Sequence, residues 1–300
     1  MKIFITDATL LDCAILSSNH GPIGKSWIVD VSWTGQQDSQ GMLFDFSLAK
    51  KSAKQTIDLE FDHKILVKSS QIREQSHSQI ILAETYQEND KDQFFALNTY
   101  PAAVKKISRE TLKALENDDV SLLELDIAQD ILRNSPKNID KVEVKLRLPT
   151  QYQSPNYYSY THSLCSHVGN CQRFHGHGSF IEVYQKNKFD MEKSKNLANY
   201  LNRKYIVSHD YIQDNWNSKI FHDIKQFCHE VEEYKENLVA LQYSGSQGQI
   251  GLFLPKEKVI GLKYESTVEN LALFAGHQLS TEADIEIRAY EGLCKGAVYP

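Results

Sequence analysis

The 300-residue sequence predicts an α+β protein made of two tandem copies of one unit, and three observations carry that prediction. Residues 25–35 (KSWIVDVSWTG) and 177–185 (HGSFIEVYQ) each show the apolar–polar alternation of a half-buried strand. Each is followed by an Asp and an apolar residue, Asp45-Phe46 and Asp190-Met191, and then by a helical pattern, SLAKKSAKQTI and EKSKNLANYLNRKYI. Matching phrases then recur in the same order to the end of each half.

Taken in order, each unit reads strand, strand, helix, strand, helix, strand. After the first helix, FDHKIL (61–66) matches VSHDYI (207–212), which sets His63 against His209. FFALNTYPAAVKKI then matches VIGLKYESTVENLA, with Leu97 against Leu262 and Val104 against Glu269. KVEVKLRLP (141–149) matches DIEIRAYEG (284–292), with Leu148 against Glu291. The register jumps once and returns, which implies an insertion at 213–250 in the second half and a longer acidic linker at 115–140 in the first. The insertion reads as an amphipathic helix (215–238) with no chemistry of its own. A Pro- and Ser-containing break at 148–156 divides the chain into 1–149 and 150–300.

At 41% hydrophobic, 24% charged and 10% aromatic, the chain has the material for a packed core, which excludes disordered, collagen-like and coiled-coil classes. No apolar run reaches the ~18 residues of a membrane span. Asp7 and Asp12 interrupt the apolar N-terminal segment, so no signal peptide is expected there. A net charge of −6 with no basic stripe argues against nucleic acid or an anionic membrane as partner. Five cysteines, an odd and scattered set, suit a reducing cytoplasm and leave thiols free for chemistry.

The chemistry gathers in one stretch of the second half: His162, then Cys171-Gln-Arg-Phe-His175-Gly-His177. On a strand, His175 and His177 point to the same face, and His162 can join them from a neighbouring strand. Three neutral imidazoles with an open position suit a catalytic zinc ion. Cys165 and His167 lie close enough to be rival ligands.

This pattern, continued by Asp-Phe, Asp-His, Thr-x-Glu-Asn and a late Glu, resembles the 6-pyruvoyl-tetrahydropterin synthase and 6-carboxy-tetrahydropterin synthase family over both halves. The resemblance implies tandem tunnelling-fold (T-fold) domains, each a four-stranded antiparallel sheet with two helices on one face. In this family such units form trimeric barrels that stack into hexamers. It further implies that His162, His175 and His177 hold zinc, that Cys171 is the general base, and that Glu291 anchors the pterin with Thr267 and Glu269 in support. The activity implied is a zinc-dependent lyase acting on 7,8-dihydroneopterin triphosphate, giving a 6-pyruvoyl- or 6-carboxy-tetrahydropterin. A non-catalytic pterin-binding or assembly protein is the competing expectation.

The two halves depart from the family in complementary ways. The family's Asp-His pair is intact as Asp62-His63 in the first half and appears as Ser208-His209 in the second. The first half replaces His-Gly-His with Ile23-Gly24-Lys25 and keeps only a lone His20 nearby. A composite site is therefore expected, with Asp62 and His63 from a first half serving Cys171, His209 beside them in the second, and the metal triad. Three chains would form a pseudo-hexamer with three working sites. Arg173 and Lys25 are candidates by position for the substrate's phosphates.

Overall fold

The computed structural model describes residues 1–149, 154–279 and 284–300. The first half opens with two long strands, β1 (Lys2–Ser17) and β2 (Gly21–Gly35), paired antiparallel from Lys2–Thr34 to Ser17–Gly21. Helix α1 (Phe46–Glu60) follows, then β3 (Ile65–Val67), β4 (Ile72–Gln75), β5 (Ile80–Glu88), β6 (Lys91–Thr99) and β7 (Val104–Lys106). Helices α2 (Arg109–Glu116) and α3 (Ser121–Arg133) lead to β8 (Ile139–Arg147).

The second half runs β9 (Tyr157–His162), β10 (His175–Gln185), β11 (Lys188–Phe189), α4 (Met191–Leu201), β12 (Lys204–Ser208) and β13 (Ile212–Gln213). It continues through α5 (Lys219–Phe227), α6 (Glu230–Glu233), β14 (Leu238–Gly245), β15 (Gly248–Pro255) and β16 (Val259–Leu262). It ends with α7 (Val268–Gln278), β17 (Ile285–Glu291) and β18 (Lys295–Tyr299). The matched Asp45 and Asp190 start α1 and α4: each carboxylate accepts the backbone N–H three residues on, at Leu48 and Lys193.

Strands β9-β10-β17-β18 form the four-stranded antiparallel sheet, and α4 and α7 close one face over Ile181, Val183, Leu197, Leu271 and Ile287. The first half repeats this with β1-β2-β8 and helices α1 and α3 over Ile57, Ile127 and Val144; among the described residues it has no partner for β18. Each sheet is widened at its first strand by two short parallel strands, β3 and β7 on β1 and β12 and β16 on β9. The expected break at 148–156 falls partly on residues 150–153, outside the described ones.

The insertion is shared by both halves, which corrects one repeat alignment. Hairpins β5–β6 and β14–β15 occupy the same place in each unit and join through β6 and β15 into a six-stranded sheet. Val104 pairs with Ile65 and Val259 pairs with Tyr205, so Val104 corresponds to Val259 and not to Glu269. Likewise Leu97 matches Leu252, not Leu262, and the two leucines face each other across the β6–β15 seam. Apolar alternation has a period of two and slips easily from one strand to the next, which is how the sequence match drifted. Within the stretch at 213–250, α5 and α6 are the helices extra to the second half among the described residues; α5 lays Ile220, Phe221 and Ile224 on the outer face of this sheet.

The halves are related by an approximate two-fold axis, since matched residues meet each other at it, as in an isologous interface. One such meeting is Leu97–Leu252 and the other is Gly24–Gly176, where β2 crosses β10. A Cβ on Gly24 would lie 2.1 Å from the Tyr160 carbonyl oxygen and 2.4 Å from the His177 nitrogen. A Cβ on Gly176 would lie 2.5 Å from Gly24 Cα, so only glycine permits this approach. Ser159 Oγ donates to Gly24 O at 3.0 Å and Gly178 N donates to Ser26 Oγ at 3.1 Å, tying the crossing strands together. No helix among the described residues is long and apolar enough to cross a membrane.

Candidate metal and proton-transfer site

The strand register brings the three histidines together. His162 ends β9 directly opposite His175 on β10, and His177, two residues further, falls on the same face. All three side chains are buried, and the Nε2 atoms of His175 and His177 each lie 3.1 Å from that of His162. Two of the other ring nitrogens have hydrogen-bonded oxygen partners. His162 Nδ1 donates to the Ser266 carbonyl at 3.0 Å and His175 Nδ1 to the Arg173 carbonyl at 2.8 Å. These bonds leave the Nε2 lone pairs aimed at one point, and burial pushes the pKa values of His162 and His175 well down, so both stay neutral. Three converging lone pairs cannot satisfy one another, whereas a divalent cation satisfies all three; the donor set fits zinc. Among the described residues this is the one histidine, cysteine or carboxylate group of that kind, so Cys165 and His167 stand outside it.

The third ligand's outer partner comes from the other half. Asp12 of β1 is buried, with a carboxylate oxygen 3.2 Å from His177 Nδ1, off the line of a well-formed hydrogen bond. Burial acts to raise the Asp12 pKa, yet the facing His177 and the Ser26 hydroxyl outweigh it and bring it down to about 2. The sequence does carry a signal for it, a lone acid in the apolar run LLDCAIL, but only the sheet crossing supplies its partner.

Asp62 and His63 also reach the triad across the two-fold. His63 Nε2 lies 3.5 Å from Cys171 Sγ, and its ring centroid lies 4.5 Å from that of His175. His63 Nδ1 bonds Asp62 Oδ2 at 2.5 Å, while Asp62 Oδ1 accepts from Asp12 N at 2.9 Å. Burial opposes charge on His63, but Asp62 and then Cys171 more than offset it and push its pKa up to about 10. The backbone at His63 is left-handed (φ 53°), held by its N–H bond to Asp12 O at 2.7 Å. A thiol, an imidazole and a carboxylate thus stand in line beside the three ring nitrogens, with the first half supplying two of them.

The sequence model of the 6-pyruvoyl tetrahydropterin synthase family matches residues 15–128 and 153–298, one segment in each half. The chain belongs to the 6-pyruvoyl tetrahydropterin synthase family. Solved structures similar to it include the 6-pyruvoyl tetrahydropterin synthase of Plasmodium falciparum, 17% identical, with a TM-score of 0.34 over 49% of this chain and 92% of that one. The Plasmodium vivax synthase and a catalytic-residue mutant of it are 14% identical, with the same TM-score and coverage. No curated protein matches the chain significantly.

Within this family frame, the structural partner of Asp62-His63 is Asn202-Arg203, and the assignment of Ser208-His209 is corrected. Asn202 Oδ1 accepts from Ser159 N at 3.0 Å, and Arg203 N donates to Ser159 O at 2.6 Å, as Asp62 and His63 do with Asp12. Arg203 is left-handed too (φ 58°), and both pairs precede the short strand, β12 or β3, that lines the first strand of its sheet. Arg203 Nη1 donates to His20 Nδ1 at 3.0 Å and faces Glu88 at 3.7 Å. His209 follows β12 on an exposed turn with its ring against Gly261, and none of its described contacts is with the triad. Ser208 merely caps that turn, accepting from Asp210 N. In the first half the triad positions are Ile15, Ile23 and Lys25, by the pairing of β1 with β2. The site related to this one by the two-fold therefore has neither metal ligands nor the Asp-His pair.

Glu291, the last residue of β17, has one carboxylate oxygen 3.9 Å from His177 Nε2 and 3.2 Å from Lys295 Nζ. Thr267 is the N-cap of α7, accepting from Asn270 N, and Glu269 lies in its first turn. The backbone N–H at that helix start, followed by the Thr267 hydroxyl, lowers the Glu269 pKa. Their evident work is to fix the helix start that carries Ser266, the acceptor for His162. Arg173 is buried and donates to Gln247 Oε1 at 3.0 Å, and Lys25 pairs with Asp118 at 2.6 Å. Neither is placed by these contacts at the mouth of a phosphate site.

Proposed function

We propose that the chain is a zinc-dependent lyase that acts on a dihydropterin, 7,8-dihydroneopterin triphosphate, and forms a 6-pyruvoyl- or 6-carboxy-tetrahydropterin. The observation that supports this best is the Cys171–His63–Asp62 line beside the histidine triad, at 3.5 Å and 2.5 Å. His162, His175 and His177 would hold the zinc. Bound there, zinc would polarise the substrate's side-chain oxygens and so acidify the adjacent C–H. Cys171 takes that proton as a thiolate, favoured by the cationic His63 ring beside it. His63 becomes cationic by taking the thiol's own proton beforehand, which leaves the thiolate to take the C–H proton, while Asp62 holds the ring in one orientation and stabilises its charged form. Glu291 receives the N–H edge of the pterin through paired hydrogen bonds, and Asp12 keeps His177 turned to the metal.

On this reading residues 1–149 are a copy without metal ligands, kept for Asp12, Asp62 and His63, and residues 150–300 are the metal-bearing copy. Three chains would assemble into a pseudo-hexamer with three sites, working in the cytoplasm. The test is turnover of 7,8-dihydroneopterin triphosphate by the zinc-loaded chain and by Cys171→Ala, with every pterin product identified. Cys171-dependent product supports the lyase, and its identity distinguishes the two reactions. Pterin bound without turnover makes the chain a binding protein instead.

A further inference from the structure

Strands β17 and β18 form a hairpin in which Glu291 and Lys295 are a direct cross-strand pair. The three residues between them turn on Gly292 (φ 66°), whose position is pressed against the first half: a Cβ there would lie 2.9 Å from the Asp12 carboxylate. Leu293 in the same turn is buried. The hairpin end is therefore fixed over the metal site, and Lys295 is fixed with it, its Nζ 3.2 Å from Glu291 Oε1. The side chain is about half exposed, so the ammonium has room to face a ligand as well as its carboxylate.

We propose that Lys295 reads the 4-oxo group of the bound pterin and so sets the specificity of the site. The proposal rests on the reading above that Glu291 receives the pterin's N–H edge. A 2-amino-4-oxo ring presents, in a row, an amino donor, a ring N–H donor and a carbonyl acceptor. A carboxylate answers the two donors only. A 2,4-diamino ring carries a lone pair and no hydrogen on the nitrogen between its two amino groups, so the carboxylate opposes that ring at its middle position but does not read the 4-position. An ammonium beside one carboxylate oxygen completes an acceptor–acceptor–donor row and makes the distinction at the 4-position: it meets the 4-oxo group with a charge-assisted hydrogen bond and meets a 4-amino group donor to donor. The 3.2 Å separation of Nζ from Oε1 suits neighbouring partners on one ring edge.

The experiment titrates the zinc-loaded full chain with two unreactive oxidised ligands, neopterin and 2,4-diamino-6-hydroxymethylpteridine, by isothermal titration calorimetry. Wild type is expected to prefer neopterin. Lys295→Met should cut the ratio of the two affinities by about tenfold or more, as for loss of a hydrogen bond to a charged group, and Lys295→Arg should keep most of it. Glu291→Gln should weaken neopterin and narrow or reverse the preference, because the amide can donate to the bare ring nitrogen of the diamino ligand. An unchanged ratio in Lys295→Met overturns the role of Lys295 while leaving the pterin reading intact. Failure of wild type to bind either ligand overturns both.

Discussion

Gly24→Ala places one methyl group at the point where the two halves cross. The added Cβ would lie 2.1 Å from Tyr160 O, 2.4 Å from His177 N and 2.6 Å from His177 O, all of them backbone atoms that no rotamer change can move. Carbon and carbonyl oxygen settle no closer than about 3.3 Å, so β2 must part from β9 by about 1.2 Å and from β10 by about 0.7 Å. Overpacking of a core typically costs about 1–3 kcal/mol, and a clash with main chain falls at the upper end or beyond. Parting the strands also stretches the Ser159–Gly24 and Gly178–Ser26 bonds, each worth about 1 kcal/mol. We expect a loss of about 3 kcal/mol or more, out of the 5–15 kcal/mol that roughly covers natural domains. Urea unfolding of the zinc-loaded chain reads this directly: with a slope of about 3 kcal/mol per molar the midpoint falls by about 1 M. Zinc affinity falls in parallel, because His177 moves away from Asp12. A variant with the wild-type midpoint and wild-type zinc affinity would refute the close crossing.

The other predictions concern the metal and the corrected pair. Asp12→Asn, which keeps the shape but removes the charge facing His177, should weaken zinc binding by about 10–100-fold in competition with a chromophoric chelator; unchanged affinity would remove Asp12 from the site. Stripped of metal, the protein carries His162 and His175 with pKa values below the unfolded value of about 6.5. The unfolded state then binds more protons as pH falls through that value, so the melting temperature of the chelated protein should drop between pH 7.5 and 5.5. A flat profile would contradict the buried neutral triad. Ser208→Asp and His209→Ala should each leave turnover of the dihydropterin within about twofold of wild type, the scale of a surface change; a large effect of either would restore them to the site.

Much of the site was legible because its chemistry lies along single strands. His175 and His177 share a face through the period of a strand, Glu291 ends a strand, and Cys171 lies in the short turn that leads into β10. Asp45 and Asp190 were recognisable as marks of matched helix starts because capping is a local matter. What failed to show was settled by tertiary contacts. Ser208-His209 resembles Asp-His in its letters, yet the true counterpart, Asn202-Arg203, shares with it only an acceptor at the first residue and a left-handed backbone at the second. Asp12 and Lys295 gain meaning only when the first strand of one half, and the last turn of the other, close over the triad. The fourth strand of the sheet is found only in the second half among the described residues, a loss no periodicity records.

The central claim is that both halves of one chain build one working site, and the most direct measurement is turnover of 7,8-dihydroneopterin triphosphate by zinc-loaded wild type and His63→Ala, with zinc content measured in both. The account predicts that His63→Ala keeps its zinc and loses activity by about 100-fold or more, the scale of removing an acid–base group. Wild-type turnover in His63→Ala would show that the first half takes no part in the chemistry and would contradict it.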